Sequence, residues 1–215
     1  MAEVEDTRNS ITFLQEQPQV DETSIGILGT SFGSAVAIYA AALDGRAKCV
    51  GTNVSVGNGA QWLRSLRSNR EWRTLLEELE EDRKKRVLTG NSRMVSLAYI
   101  MPDEASKARR QELLKIDPTA CTELPLETVE AVIEFKPDEV VHQITPRPLL
   151  FTVAGRDILA PVEFTRELYD RAGEPKKFVV IPDAEHYETY SPPYVQMVID
   201  EHYKWCEQYL PAKRC

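Results

Sequence analysis

The sequence predicts an α/β fold: a parallel sheet flanked by helices, interrupted by a helical insertion. Three observations predict it. Short apolar runs at 25–28, 49–56, 148–154 and 177–181 have the length and β-branched content of buried strands. Helical periods separate them, as alternating strands and helices in a parallel sheet require. Between about 60 and 140 the texture changes to scarce glycine, high charge and recurring helical spacing, which reads as an insertion rather than more sheet.

The elements follow in order. Residues 4–17 set Ile11, Phe13 and Leu14 at helical spacing, and Pro18, with no N–H to donate, ends that helix. Residues 21–23 turn into the strand at 25–28, which runs into Gly29. The stretch 33–43 is small and apolar on nearly every side, as a helix buried against a sheet is. With the strand at 49–56 it completes a strand–helix–strand unit, which implies parallel strands and a right-handed crossover. Helical periods at 61–66, 72–88 and 105–116, broken by Pro102, Pro118, Pro125 and Pro137, build the insertion. The strand at 148–154, an amphipathic helix at 161–172, the strand at 177–181 and a last helix at 193–209, stopped by Pro211, complete the chain. The domain reading is a core of 1–58 and 138–215 with a helical insertion of 59–137.

Composition limits the function classes. The 215 residues are 42% hydrophobic and 28% charged, which suits one soluble domain, or one domain with a large insertion. Lys and Arg total 26 against 34 Asp and Glu, a net charge of −8 that argues against nucleic-acid and anionic-lipid partners. The mixed run at 77–86 reads as a solvated helix face. The start, 1–18, lacks the apolar core of a signal peptide, and no apolar run approaches the ~20 residues that span a membrane. Cys49, Cys121, Cys206 and Cys215 show no metal-knuckle or redox spacing, so reduced thiols in a cytoplasmic protein are expected, with an interchain bridge from Cys215 as a lesser alternative. No His or carboxylate spacing resembles a metal site, so neither metal nor organic cofactor is expected.

The residues that carry chemistry lie at the ends of the expected strands. Gly29-Thr30-Ser31-Phe32-Gly33 matches G-x-S-x-G between a strand and a helix. A turn that tight strains the serine backbone, needs flanking glycines for close chain approach, and lifts the hydroxyl above the C-terminal sheet edge. The Phe32 N–H, at the helix N-terminus, can then face an oxyanion. A serine hydroxyl needs a base. His202 lies within the last helix and His142 before the third strand, and both read as structural. His186 follows the fourth strand, at the sheet edge that displays Ser31. Asp157 follows the third strand at the same edge and can hold the imidazole's tautomer. Asp183, three residues before His186, reads as a turn former, and Asp44 sits at the wrong end of its helix. A catalytic triad of Ser31, Asp157 and His186 is therefore expected.

The segments G-T-S-F-G-S, G-R-D-I-L-A-P and A-E-H-Y, each at its place after a strand, resemble the α/β-hydrolase superfamily. The similarity is nearest to the dienelactone-hydrolase and acetyl-xylan-esterase-like branch, shading into X-Pro dipeptidyl peptidase-type serine hydrolases. It covers nearly the whole chain from about residue 5, and V-D-E-T-S-I-G-I-L-G-T-S-F-G and E-E-D-R-K-K-R contribute to it. The resemblance implies Ser31 as nucleophile, Asp157 as acid, His186 as base and the insertion as a helical cap. It also implies about four further strands and a second oxyanion donor before Ser31 that these residues do not contain, a truncated form of the fold. The strand at 24–29 is then expected to present an open apolar edge, covered by a second copy, by a separate chain or by the N-terminal segment. The expected substrate is a small-molecule carboxylic ester or thioester. Acyltransferase or cyclase chemistry on the same triad, or a non-catalytic binding subunit or fragment, are the alternatives. In the insertion, Trp62, Trp72, Leu75, Leu76, Met94, Tyr99 and Met101 are candidates for an acyl pocket, although helical spacing more often marks such residues as core.

Overall fold

A computed structural model describes residues 1–210. The chain forms two compact units, Met1–Asn58 together with the residues from Lys136 onward, and Gly59–Phe135. The first unit opens with α1 (Ala2–Gln15), β1 (Gly26–Thr30), α2 (Phe32–Leu43) and β2 (Cys49–Asn53). The second contains α3 (Gly59–Ser65), α4 (Asn69–Thr89), β3 (Met94–Ser96), α5 (Glu104–Ile116), β4 (Glu123–Pro125) and α6 (Glu127–Glu134). The first then resumes with β5 (Leu149–Ala154), α7 (Val162–Arg171), β6 (Lys176–Ile181) and α8 (Tyr194–Tyr209).

The first unit is built on a parallel sheet in the order β1-β2-β5-β6. Alternate side chains of a strand leave opposite faces, so β5 divides its residues between two helical layers. Leu149 and Phe151 pack with Ile11 of α1, Ile38 and Ala41 of α2 and Leu168 of α7. Leu150 turns the other way, onto Trp205 of α8. Gly51 of β2 admits α8 closely, because a Cβ there would stand 2.4 Å from the buried ring of His202. β1 is an edge strand; Leu28 on it is 58% exposed, and among the described residues no strand pairs with its outer side.

In α1 the buried residues are Val4 and Ile11, seven positions and two turns apart, whereas Phe13 is 65% exposed. The seven-residue interval, rather than the Phe13-Leu14 pair, selects the packed face.

The second unit is not purely helical. Val95 of β3 pairs with Leu124 of β4 in a two-stranded antiparallel ribbon. Each strand has three residues, too short for periodicity to reveal. α4 begins with a reciprocal capping box between Ser68 and Glu71 and ends at Gly90, whose φ of 74° suits glycine. Of the apolar candidates there, Trp62 and Leu75 are buried, while Leu76 and Met94 are exposed. No helix among the described residues is long and apolar enough to cross a membrane. Cys49 and Cys206 are free thiols with sulfurs 3.8 Å apart, Cys121 is a free exposed thiol, and Cys215 lies outside the described residues.

Asp44, at the end of α2, is buried and takes a fork of hydrogen bonds from Arg46, Nε to Oδ1 at 2.9 Å and Nη2 to Oδ2 at 2.6 Å. The side-chain bonds from Arg46 hold its carboxyl at about 2, against an ordinary 3.8, although burial opposes them. A depressed folded-state pKa contributes stability above the unfolded value that disappears as pH falls through the folded one. The urea midpoint should therefore fall between pH 4 and 2, and Asp44→Asn should flatten that part of the profile while lowering the midpoint at pH 6.

Candidate active site

Between the last residue of β1 and the first of α2 stands a single residue, Ser31, at φ 53° and ψ −128°. This is strained backbone for any residue but glycine. Val54, directly after β2, and Asp183, after β6, also have positive φ (46° and 61°). Non-glycine strain among the described residues thus gathers at the C-terminal edge of the sheet. Two donors hold the elbow closed. The Ser31 N–H donates to the Asn53 carbonyl at 2.9 Å. The buried Ser34 hydroxyl reaches the Gly29 and Asn53 carbonyls at 2.9 and 3.0 Å, tying α2 to β1 and β2.

The two flanking glycines differ. A Cβ on Gly29 would lie 2.2 Å from the Gly33 carbonyl oxygen, so the close approach is real there. A Cβ on Gly33 would meet nothing within 4 Å, so the expected steric need at that position is not present among the described residues. Phe32 is the first residue of α2, which puts its N–H in the opening turn of the helix.

Asp157 lies just beyond β5 and is buried. Its Oδ1 accepts the N–H groups of Leu159 and Ala160 at 2.9 and 2.7 Å, which fixes the carboxylate plane. Its Oδ2 is 2.7 Å from Nδ1 of His186. His186 is 4% exposed, and its Nε2 stands 3.0 Å from Ser31 Oγ. A carboxylate only accepts, so Nδ1 carries the proton and Nε2 presents its lone pair to the serine hydroxyl. Edge-on rings of Tyr187 and Tyr190, 5.1 and 6.0 Å from the imidazole, flank it. The arrangement can pull a proton from Ser31 and hold the resulting imidazolium against Asp157.

The rival residues sit elsewhere. His142 is exposed. His202 is buried in α8 with Nδ1 on the Val198 carbonyl at 2.8 Å, and burial pushes its pKa down. Asp183 occupies the turn after β6, and Asp44 serves Arg46. No cluster of His, Cys, Asp or Glu able to hold a metal ion exists among the described residues.

The structure adds residues that motif reading missed. Asn53, the last residue of β2, donates from Nδ2 to Thr189 Oγ1 at 3.1 Å, and Thr189 in turn donates to the His186 carbonyl at 2.8 Å. Tyr190 places its hydroxyl 3.0 Å from Thr30 Oγ1 and 3.5 Å from His186 Nε2. Its spacing, four residues after His186 on a helical turn, is the signal that could have found it.

Residues 3–129 match the family model described as the BAAT / acyl-CoA thioester hydrolase C-terminal domain. The chain belongs to this family. An uncharacterized 31.7 kDa Escherichia coli protein is 27% identical over 209 residues, 97% of this chain and 73% of that protein. The polyketide transferase claH of Penicillium crustosum is 26% identical over 97% of this chain and 71% of its own length. A thiohydrolase of Eupenicillium brefeldianum is 49% identical over a shorter stretch of 49 residues, 23% of this chain and 16% of that one. Among solved structures, the α/β-hydrolase GrgF of a Penicillium species superposes with a TM-score of 0.77 at 18% identity, covering 96% of this chain and 71% of that one. At such identity the likeness establishes the fold alone: this member of the acyl-CoA thioester hydrolase family has an α/β-hydrolase fold with a parallel sheet flanked by helices.

Proposed function

We propose that this BAAT-family chain is a serine hydrolase that cleaves a small-molecule carboxylic ester or thioester through an acyl-enzyme on Ser31. The observation that carries the reading is the unbroken file Ser31 Oγ, His186, Asp157, with contacts of 3.0 and 2.7 Å at the strained edge of the sheet. In this reading His186 removes the Ser31 proton as Oγ attacks the carbonyl carbon. The Phe32 N–H faces the oxyanion, and His186 returns the proton to the departing alcohol or thiol. Water then enters by the same route and releases the acid. The family description and the thiohydrolase relative favour a thioester.

The polyketide transferase relatives favour a second reading, in which an alcohol or amine takes the acyl group in place of water. Product analysis with an acyl-coenzyme A thioester, with and without added alcohol, separates the two. Free acid alone supports hydrolysis, an ester that grows with the alcohol supports transfer, and no turnover with no acyl adduct on Ser31 rejects both.

A further inference from the structure

Cys49 and Cys206 are 157 residues apart in the chain, yet they meet on the face of the sheet that α8 covers. Cys49 opens β2 and is 1% exposed. Cys206 is half-buried in the last turn of α8, the part of a helix that opens most readily. Leu150 and Trp205 pack around them, with Tyr209 and Leu210 alongside. The two elements already press together nearby, because a Cβ on Gly51, two residues along β2, would stand 2.4 Å from the His202 ring. The sulfurs are 3.8 Å apart, a thiol–thiol hydrogen bond, and both thiols are free. A disulfide holds its sulfurs at about 2.0 Å, so a torsional adjustment of under about 2 Å closes the pair.

We infer that Cys49 and Cys206 are a modification site, which a hydroperoxide converts into a disulfide that latches α8 to β2 and stabilises the first unit. Access sets the order. Half-buried Cys206 meets the oxidant, and enclosed Cys49 resolves it. The hydrogen bond to Cys49 favours the same order, since it holds Cys206 at about 7, below the ordinary 9, although burial opposes it. With hydrogen peroxide, the Cys206 thiolate attacks one oxygen, the O–O bond breaks, and a sulfenic acid and hydroxide form. The Cys49 sulfur then attacks the sulfenic sulfur, the S–O bond breaks, and the Cys49 proton leaves with the departing hydroxide as water. The two thiols give up two electrons and two protons, and the peroxide becomes two waters. Cross-linking residues so far apart restricts the unfolded chain, which favours the folded one. Neither thiol takes part in the chemistry at Ser31: about 13 Å of strand separates Cys49 from Asn53, at the other end of β2.

Treating the reduced protein with hydrogen peroxide at pH 8 tests this. Peptide mapping should find Cys49 joined to Cys206, lighter by two hydrogens than the separate peptides and parted again by dithiothreitol. The urea midpoint of the cross-linked protein should stand about 1 M above that of the reduced protein. Cys206→Ser should lose both the cross-link and the rise. Cys49→Ala should leave a sulfenic acid on Cys206 that dimedone traps. Treated protein with both thiols still free, or with Cys206 joined to Cys121 or Cys215 instead, overturns the inference. So does a cross-linked protein whose midpoint is no higher than that of the reduced one.

Discussion

Ser31→Ala is expected to lower turnover by about 10⁶-fold, and His186→Ala by a similar factor, because either change removes the single hydrogen-bonded unit that makes an oxygen nucleophilic. Asp157→Asn should cost about 10⁴-fold: an amide N–H facing Nδ1 favours the wrong imidazole tautomer. Its buried Oδ1 contacts with Leu159 and Ala160 can survive in the amide, so the loss should lie in kcat and not in folding. The elbow also predicts opposed effects on stability and activity. Ser31 holds φ 53°, which costs on the order of 1–3 kcal/mol for a residue with a Cβ. Ser31→Gly should therefore be inactive and more stable, with a higher urea midpoint, while Ser31→Ala keeps the strain and the parent midpoint.

The second large effect is steric. Gly29→Ala would press a Cβ to 2.2 Å from the Gly33 carbonyl oxygen and 2.7 Å from the Ser34 Cα, all backbone atoms of the first turn of α2. Neither β1 nor α2 can yield without opening the bonds of Ser34 to the Gly29 and Asn53 carbonyls. We expect a loss of about 3 kcal/mol or more, seen as a lowered urea midpoint, with activity lost even where the chain still folds. Gly33→Ala, four residues further along the same motif but open within 4 Å, should change stability by no more than about 1 kcal/mol. A motif read only as letters assigns both glycines the same duty; the coordinates divide it.

That contrast shows how much of this protein is legible in its sequence. The strands at 26–30, 49–53, 149–154 and 176–181 announce themselves because each is a short apolar run bounded by turn residues. Ser31, Asp157 and His186 could be picked out because each stands just past such a run, and the C-terminal ends of parallel strands share one edge. What stayed hidden depends on relations between distant side chains. Asn53 looks like an ordinary strand residue, yet its amide donates to Thr189, which in turn donates to the His186 carbonyl. The ribbon of β3 and β4 escaped because three residues per strand carry no period. In α1, Phe13 is exposed although it is the largest apolar side chain there, because Val4 and Ile11 decide which face packs.

The proposal that Ser31 is a nucleophile driven by His186 and Asp157 meets its most direct test in peptide mapping by mass spectrometry after exposure to a fluorophosphonate at pH 8. The account predicts one phosphonyl group per chain, on Ser31, absent from Ser31→Ala and formed far more slowly in His186→Ala. A label carried by another residue, or a Ser31 that reacts equally fast without the imidazole, would contradict it.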